Sequence, residues 1–234
     1  MKVRNLLLPA VLVVAATLTG CAAVRYEPTS YDSPKPVGAG VPGCLSAGAL
    51  AAPGDECLAL VRADQWWSDT GVTVKKQAAY RLTVPPHQVW FDKGIVNKPP
   101  YGDPGSRLMN LFERYKRHEG GLWFSLIAAV VEPGSDLDRR EYQRVDIGAA
   151  SKKNCDSVIF VAQEDGALSL YPNDAKGPAS HPTFFYENNS GQIWVRVRWL
   201  TAKEASAATT TTTTTTTVVV PDECRPPTNP TVAQ

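Results

Sequence analysis

The sequence has no excess of either charge: 24 Lys+Arg stand against 23 Asp+Glu. That balance excludes the basic footprint of a nucleic-acid binder and any polybasic patch for anionic lipid. With only three His and no C-x-x-C spacing, the usual zinc patterns are missing. There is no G-x-S-x-G elbow and no phosphate-cradling glycine loop. No cysteine has a histidine in a recognisable catalytic context. The paired carboxylates of a glycosidase leave no linear spacing to read. Nothing here points to an enzyme, and the expectation is a non-catalytic protein. Beyond the first twenty residues, no apolar run approaches the roughly 20 residues of a membrane-spanning helix.

What is present begins at the N-terminus. Residues 1–20, MKVRNLLLPAVLVVAATLTG, have a basic start at Lys2 and Arg4, an apolar stretch and small residues, the layout of a secretory signal. They end in LTGC, which resembles the lipobox of bacterial lipoproteins. That resemblance implies cleavage before Cys21 and acylation of Cys21, a lipid anchor that needs no spanning helix. Ala22, rather than Asp, follows the cysteine, which in that class implies the outer membrane. The other reading is a plain cleaved signal with Cys21 as an ordinary thiol.

Cys44, Cys57, Cys155 and Cys224 remain. An even count in an exported chain reads as two disulfides, with three pairings open. The short loop between them favours Cys44–Cys57, which leaves Cys155–Cys224. Residues 21–56 are rich in Pro, Gly, Ser and Ala without apolar period and read as a tether. Residues 203–234 contain nine consecutive threonines, Thr209–Thr217. They read as a loose or weakly extended tail.

Residues 57–202 form one domain, and they read as β. GVTVKKQAAYRLTV alternates at Val72/Val74 and at Tyr80/Leu82/Val84. LWFSLIAAVV is continuously apolar, as expected of a strand buried on both faces. QIWVRVRW sends Ile193, Val195, Val197 and Trp199 one way, and Trp194, Arg196 and Arg198 the other. Glu164-Asp165-Gly166 reads as a hairpin turn. The spacing of Leu108, Leu111, Phe112 and Tyr115 in SRLMNLFERYKRHEG suggests one helix. Many short strands between turn signals predict an all-β, jelly-roll-like antiparallel sandwich. Trp66, Trp67, Trp90 and Trp123 are expected in its core, and Trp194, on the polar face of its strand, is a candidate ligand contact.

The segments GALSLYPND (166–174) and NNSG (188–191), with VWFDKG, SLIAAVV and VDIG around them, resemble the calcium-dependent galactophilic PA-I lectin family and the galactose-binding-like jelly rolls. The resemblance spans about residues 58–200. It implies a calcium ion held by the side chains of Asp174, Asn188 and Asn189. Carbonyls at Phe185 and at Asp92 or Lys93 would complete the set, with a sugar bound through that ion. Such oxygens suit calcium, although Asp174 is the one carboxylate in the set. Two departures stand out. AKGPASHPT is an insertion beside the site, and the family's His/Gln-bearing sugar loop has no counterpart in 93–118.

The bland reading of the same residues is turn chemistry, since Asn and Asp side chains bond their own backbone. Two function classes therefore stand. One is a calcium-dependent carbohydrate-binding module on a lipid-anchored envelope protein. The other is a metal-free scaffold or docking subunit of an envelope protein assembly. A hydrolase is a weaker third, lacking an identifiable catalytic group.

Overall fold

The computed structural model describes residues 40–85, 88–92, 95–148 and 157–209, apart from the side chains of 95–98, 108 and 209. Two antiparallel sheets organise them. One runs β1 (Glu56–Arg62), β11 (Gln192–Trp199), β3 (Ala79–Thr83), β9 (Ser157–Val161). The other runs β2 (Ser68–Val74), β10 (Gly166–Pro172), β7 (Trp123–Val131), with β6 (Tyr101–Asp103) and β8 (Glu141–Asp146) both paired along β7. A separate ribbon joins β4 (Trp90–Asp92) to β5 (Ile95–Lys98). This is the expected all-β sandwich. No helix among the described residues is long and apolar enough to cross a membrane.

Alternation builds the core. Ile193, Val195 and Val197 of β11, with Tyr80 and Leu82 of β3, meet Leu126, Ala128 and Val130 of β7 and Leu168 and Leu170 of β10. Each Val, Leu or Ile side chain among them contributes about 1.5–3 kcal/mol on burial. The continuously apolar β7 is buried at every position, as its sequence predicts. Its other face, Ile127, Ala129 and Val131, packs with Tyr171 under Trp67.

Three local expectations differ. Glu164-Asp165-Gly166 does not close a hairpin: β9 pairs with β3, whereas β10 pairs with β2 and β7, so the turn crosses between sheets. The helix over SRLMNLFERYKRHEG is reduced to one turn, α1 (Arg107–Asn110), and a 3-10 turn at Glu113–Tyr115. Leu111, Phe112 and Tyr115 are exposed. With no apolar face to cover, a helix there has little tertiary support. Past the turn, Lys116 pairs instead with Ala175. At the C-terminal side, α2 (Ala202–Thr209) continues past β11, and Ala205 and Ala208 pack on Ala79, Ile159 and Leu200.

The stretch expected as tether is packed where it is described. Cys44 is bonded to Cys57, the favoured pairing, and Gly43 pairs with Leu58. Gly71 permits this approach: it has φ +79°, and a Cβ there would lie 2.9 Å from a Leu45 methyl and 3.1 Å from the Cys44 carbonyl. Cys21, Cys155 and Cys224 lie outside the described residues.

Candidate functional site

Asp174 follows the end of β10, and Asn188 and Asn189 precede β11. β10 and β11 belong to different sheets, so residues 173–191 cross the sandwich at one end. Two contacts shape this passage. Tyr186, fully buried, donates its hydroxyl to the Pro172 carbonyl at 2.8 Å. The Asn189 amide donates to the Tyr186 carbonyl at 3.1 Å, closing a 3-10 turn over Tyr186–Asn188. Ser190 and Phe91 then exchange backbone hydrogen bonds, both 2.9 Å, which brings the end of β4 alongside. Gly191 is required at the join. Its φ is +92°, and a Cβ would lie 3.2 Å from both Phe91 Cδ2 and Trp90 Cα.

The side chains converge. Asn189 Nδ2 donates to Asp174 Oδ2 at 2.7 Å and to the Ala63 carbonyl at 3.3 Å. Asp174 Oδ1 accepts from the Ala175 amide at 2.7 Å. Asp174 and Asn189 are buried. The amide oxygens of Asn188 and Asn189 are also buried, and neither has a hydrogen-bond partner. A buried acceptor left unpaired costs about 1–3 kcal/mol, so the Asn189 oxygen beside this carboxylate, with that of Asn188 next in the chain, marks a place where something electropositive would be stabilised. Burial pushes the Asp174 pKa up to about 7; the bonds from Asn189 and Ala175 oppose this, and the charge of Asp92 adds to it. Asp92 is therefore a second carboxylate within electrostatic reach. Sequence reading allowed it only a main-chain role, because nothing local indicates that β4 ends beside residue 174.

These groups suit a hard cation. Oxygens from a carboxylate and two side-chain amides match calcium's preferences, and the two unpaired acceptors are what such an ion would satisfy. The other candidates are arranged as follows. The Phe185 side chain packs against the core and meets Phe184 edge-on at 5.2 Å; the residue opens the turn that carries Asn188. Lys93 is outside the described residues. Trp194 stands on the outer face of the four-stranded sheet opposite Leu60, its backbone bonded both ways to Gln88. Of the four expected core tryptophans, Trp90 and Trp123 are buried, while Trp66 and Trp67 are half-exposed.

Arg117 supports the site from beneath. Its amide donates to the Asp174 carbonyl at 2.8 Å. Its buried guanidinium lies 4.0, 3.8 and 3.6 Å from the ring centres of Trp66, Trp67 and Tyr171. Among the described residues no carboxylate pairs with it; ring faces and the Trp66 carbonyl hold the charge. Asn173 pins the neighbouring loop, donating to the His118 and Leu122 carbonyls at 2.9 and 3.0 Å. In a segment reading YKRHEG, the role of Arg117 has no sequence signal.

No family model matches the chain, and no curated protein matches it. Among solved structures it is similar to the EclA N-terminal domain, described as a PllA-like lectin. That likeness has 16% identity and a TM-score of 0.38, and it covers 61% of this chain and 94% of that chain. At that identity and score, neither ligand nor role transfers.

Proposed function

We propose that this chain is an outer-membrane lipoprotein, anchored through acylated Cys21, whose sandwich is a non-catalytic module that binds carbohydrate with the help of calcium. One observation carries the reading: the unpartnered, buried amide oxygen of Asn189, whose Nδ2 bonds the desolvated carboxylate of Asp174, with the equally unpartnered Asn188 oxygen next in the chain. Asp174, Asn188 and Asn189 would hold the ion, with Asp92 adding negative charge and the Phe185 carbonyl close by in sequence. When bound, calcium supplies a Lewis-acidic centre on which two hydroxyls of a polyol can rest. The chain's own residues do the rest. Tyr186 and Gly191 fix the loop, and Asn189 orients Asp174. The lining of the passage keeps competing water from the carboxylate.

The test is calorimetric titration of calcium into the full-length protein in detergent after chelator treatment, followed by a glycan array with calcium or with EDTA. Saturable calcium binding, lost in Asp174→Ala, together with EDTA-sensitive glycan signals, supports the proposal. Absence of calcium binding leaves the 174–189 loop as turn chemistry and favours the docking-subunit reading. The anchor is tested separately: Cys21→Ser should move the protein from the detergent phase to the aqueous phase on detergent partitioning.

A further inference from the structure

A cleft lies near the Asp174 site, lined in part by Asp64 and Glu187. Its volume is about 320 Å³, and Trp66, Trp67, Asp64, Asp69, Arg139 and Glu187 are among its lining residues. That size falls at the lower end of the roughly 300–1,000 Å³ of small-molecule sites. The two indoles are set before any ligand arrives. Both Nε1–H groups donate to the Leu137 carbonyl, at 3.2 and 3.0 Å. Arg117 lies over both rings and Arg139 lies 5.1 Å from the Trp67 ring centre, and both tryptophans line the cleft. The carboxylates are equally fixed. Arg62 holds Asp64 at 2.6 Å, Arg139 holds Asp69 at 2.9 Å, and His181 and Thr183 hold Glu187. The Arg139 side chain is only 4% exposed, and its Nε is buried without a hydrogen-bond partner. Arg139, bonded to the Gly134 carbonyl and to Asp69, is thus a fixed part of the wall.

From this we infer a second binding site, independent of calcium, for an uncharged or cationic saccharide ring. The chemistry selects that class. Rigid aromatic surface suits the C–H face of a sugar. Carboxylates with remaining lone pairs accept hydroxyl protons. Arg62 pairs with Asp64 and Arg139 with Asp69, so Glu187 is the lining carboxylate without an arginine; a uronic acid brings a second negative charge beside it, and a neutral or amino sugar does not. The inference does not depend on the ion site, although the sites are neighbours: Glu187 precedes Asn188, and the Ala63 carbonyl that accepts from Asn189 precedes Asp64.

The test follows intrinsic tryptophan fluorescence of the full-length protein in EDTA during titration with galactose, N-acetylglucosamine, glucosamine and glucuronic acid. Saturable change with at least one of the first three, and at least tenfold weaker binding of glucuronic acid, is expected. The double variant Asp64→Asn/Glu187→Gln, checked for an unchanged melting temperature, should bind at least tenfold more weakly. No saturable binding in EDTA, equal or better binding of glucuronic acid, or unaltered affinity in the double variant would each overturn the inference. So would complete displacement of the sugar by oligolysine at lower concentration, since the cleft would then be built for a cationic peptide. A response that appears only with calcium belongs to the Asp174 site and also counts against the cleft.

Discussion

The Asp174 carboxylate makes a quantitative demand on stability. Its folded-state pKa of about 7 lies above the ordinary 3.8, so the native state holds the proton more tightly than the unfolded chain. Stability from this group is therefore greatest at low pH, falls as pH rises from about 4 towards about 7, and is level above that. At 1.36 kcal/mol per pH unit, the loss between pH 5 and pH 8 is about 2–3 kcal/mol. Calcium should reverse the trend, because the ion favours the ionised carboxylate. At a hundred times its dissociation constant it adds about 2.7 kcal/mol, or roughly 5–11 °C in melting temperature for a domain of this size. The assay is urea denaturation at pH 5, 6, 7 and 8, in EDTA and in calcium, for the native sequence and for Asp174→Ala. Subtracting the variant cancels His118, whose pKa is lowered by burial and then by Arg144. In EDTA the native-minus-variant difference should fall by about 2–3 kcal/mol across the range. A difference that stays flat would mean that the carboxylate is not desolvated, and the electrostatic reasoning would fail with it.

Three further outcomes are expected. Arg117→Ala should lose about 2–4 kcal/mol, since it removes stacking on three rings and leaves a void between them; Arg117→Lys should recover only part, as a point charge cannot lie flat on the rings. Thermal melts followed by near-ultraviolet circular dichroism will show whether the tryptophan signal goes with it. Gly191→Ala should cost about 1–2 kcal/mol from its left-handed backbone alone, and it should also weaken any calcium response by pushing Phe91 away from Ser190; differential scanning calorimetry with and without calcium reads both. Reducing Cys44–Cys57, separated by 13 residues, should cost about 3 kcal/mol on the chain-entropy account, measured as a shift in the urea midpoint. Because both cysteines are buried, reduction should proceed only after partial unfolding.

Much of the fold was legible along the chain because burial writes itself into period-two patterns. Leu122–Val131 read as doubly buried, and residues 192–199 as half-buried, without any knowledge of partners. The Cys44–Cys57 pairing was legible because its loop is short. The turn at 164–166 was misread for a physical reason: two strands joined by a tight turn have equal local propensity to pair or to part. Only the competing edges of β3, β2 and β7 decided the matter. The 106–120 helix failed similarly, since periodicity alone cannot supply a surface for the apolar face to cover.

The site divides along the same line. Sequence by itself determined which oxygen-bearing side chains were available, at Asp174, Asn188 and Asn189, and that strand ends would carry them. It also fixed the N-terminal pattern from which the anchor is proposed. Tertiary structure alone decided that Asp174 is desolvated, that Asp92 lies within its electrostatic reach, that the Ala63 carbonyl meets Asn189, and that Arg117 sits within a ring of aromatics. Side-chain identity and strand periodicity are properties of neighbours in the chain. Burial and electrostatic reach depend on distances between segments that only the packed sandwich brings together.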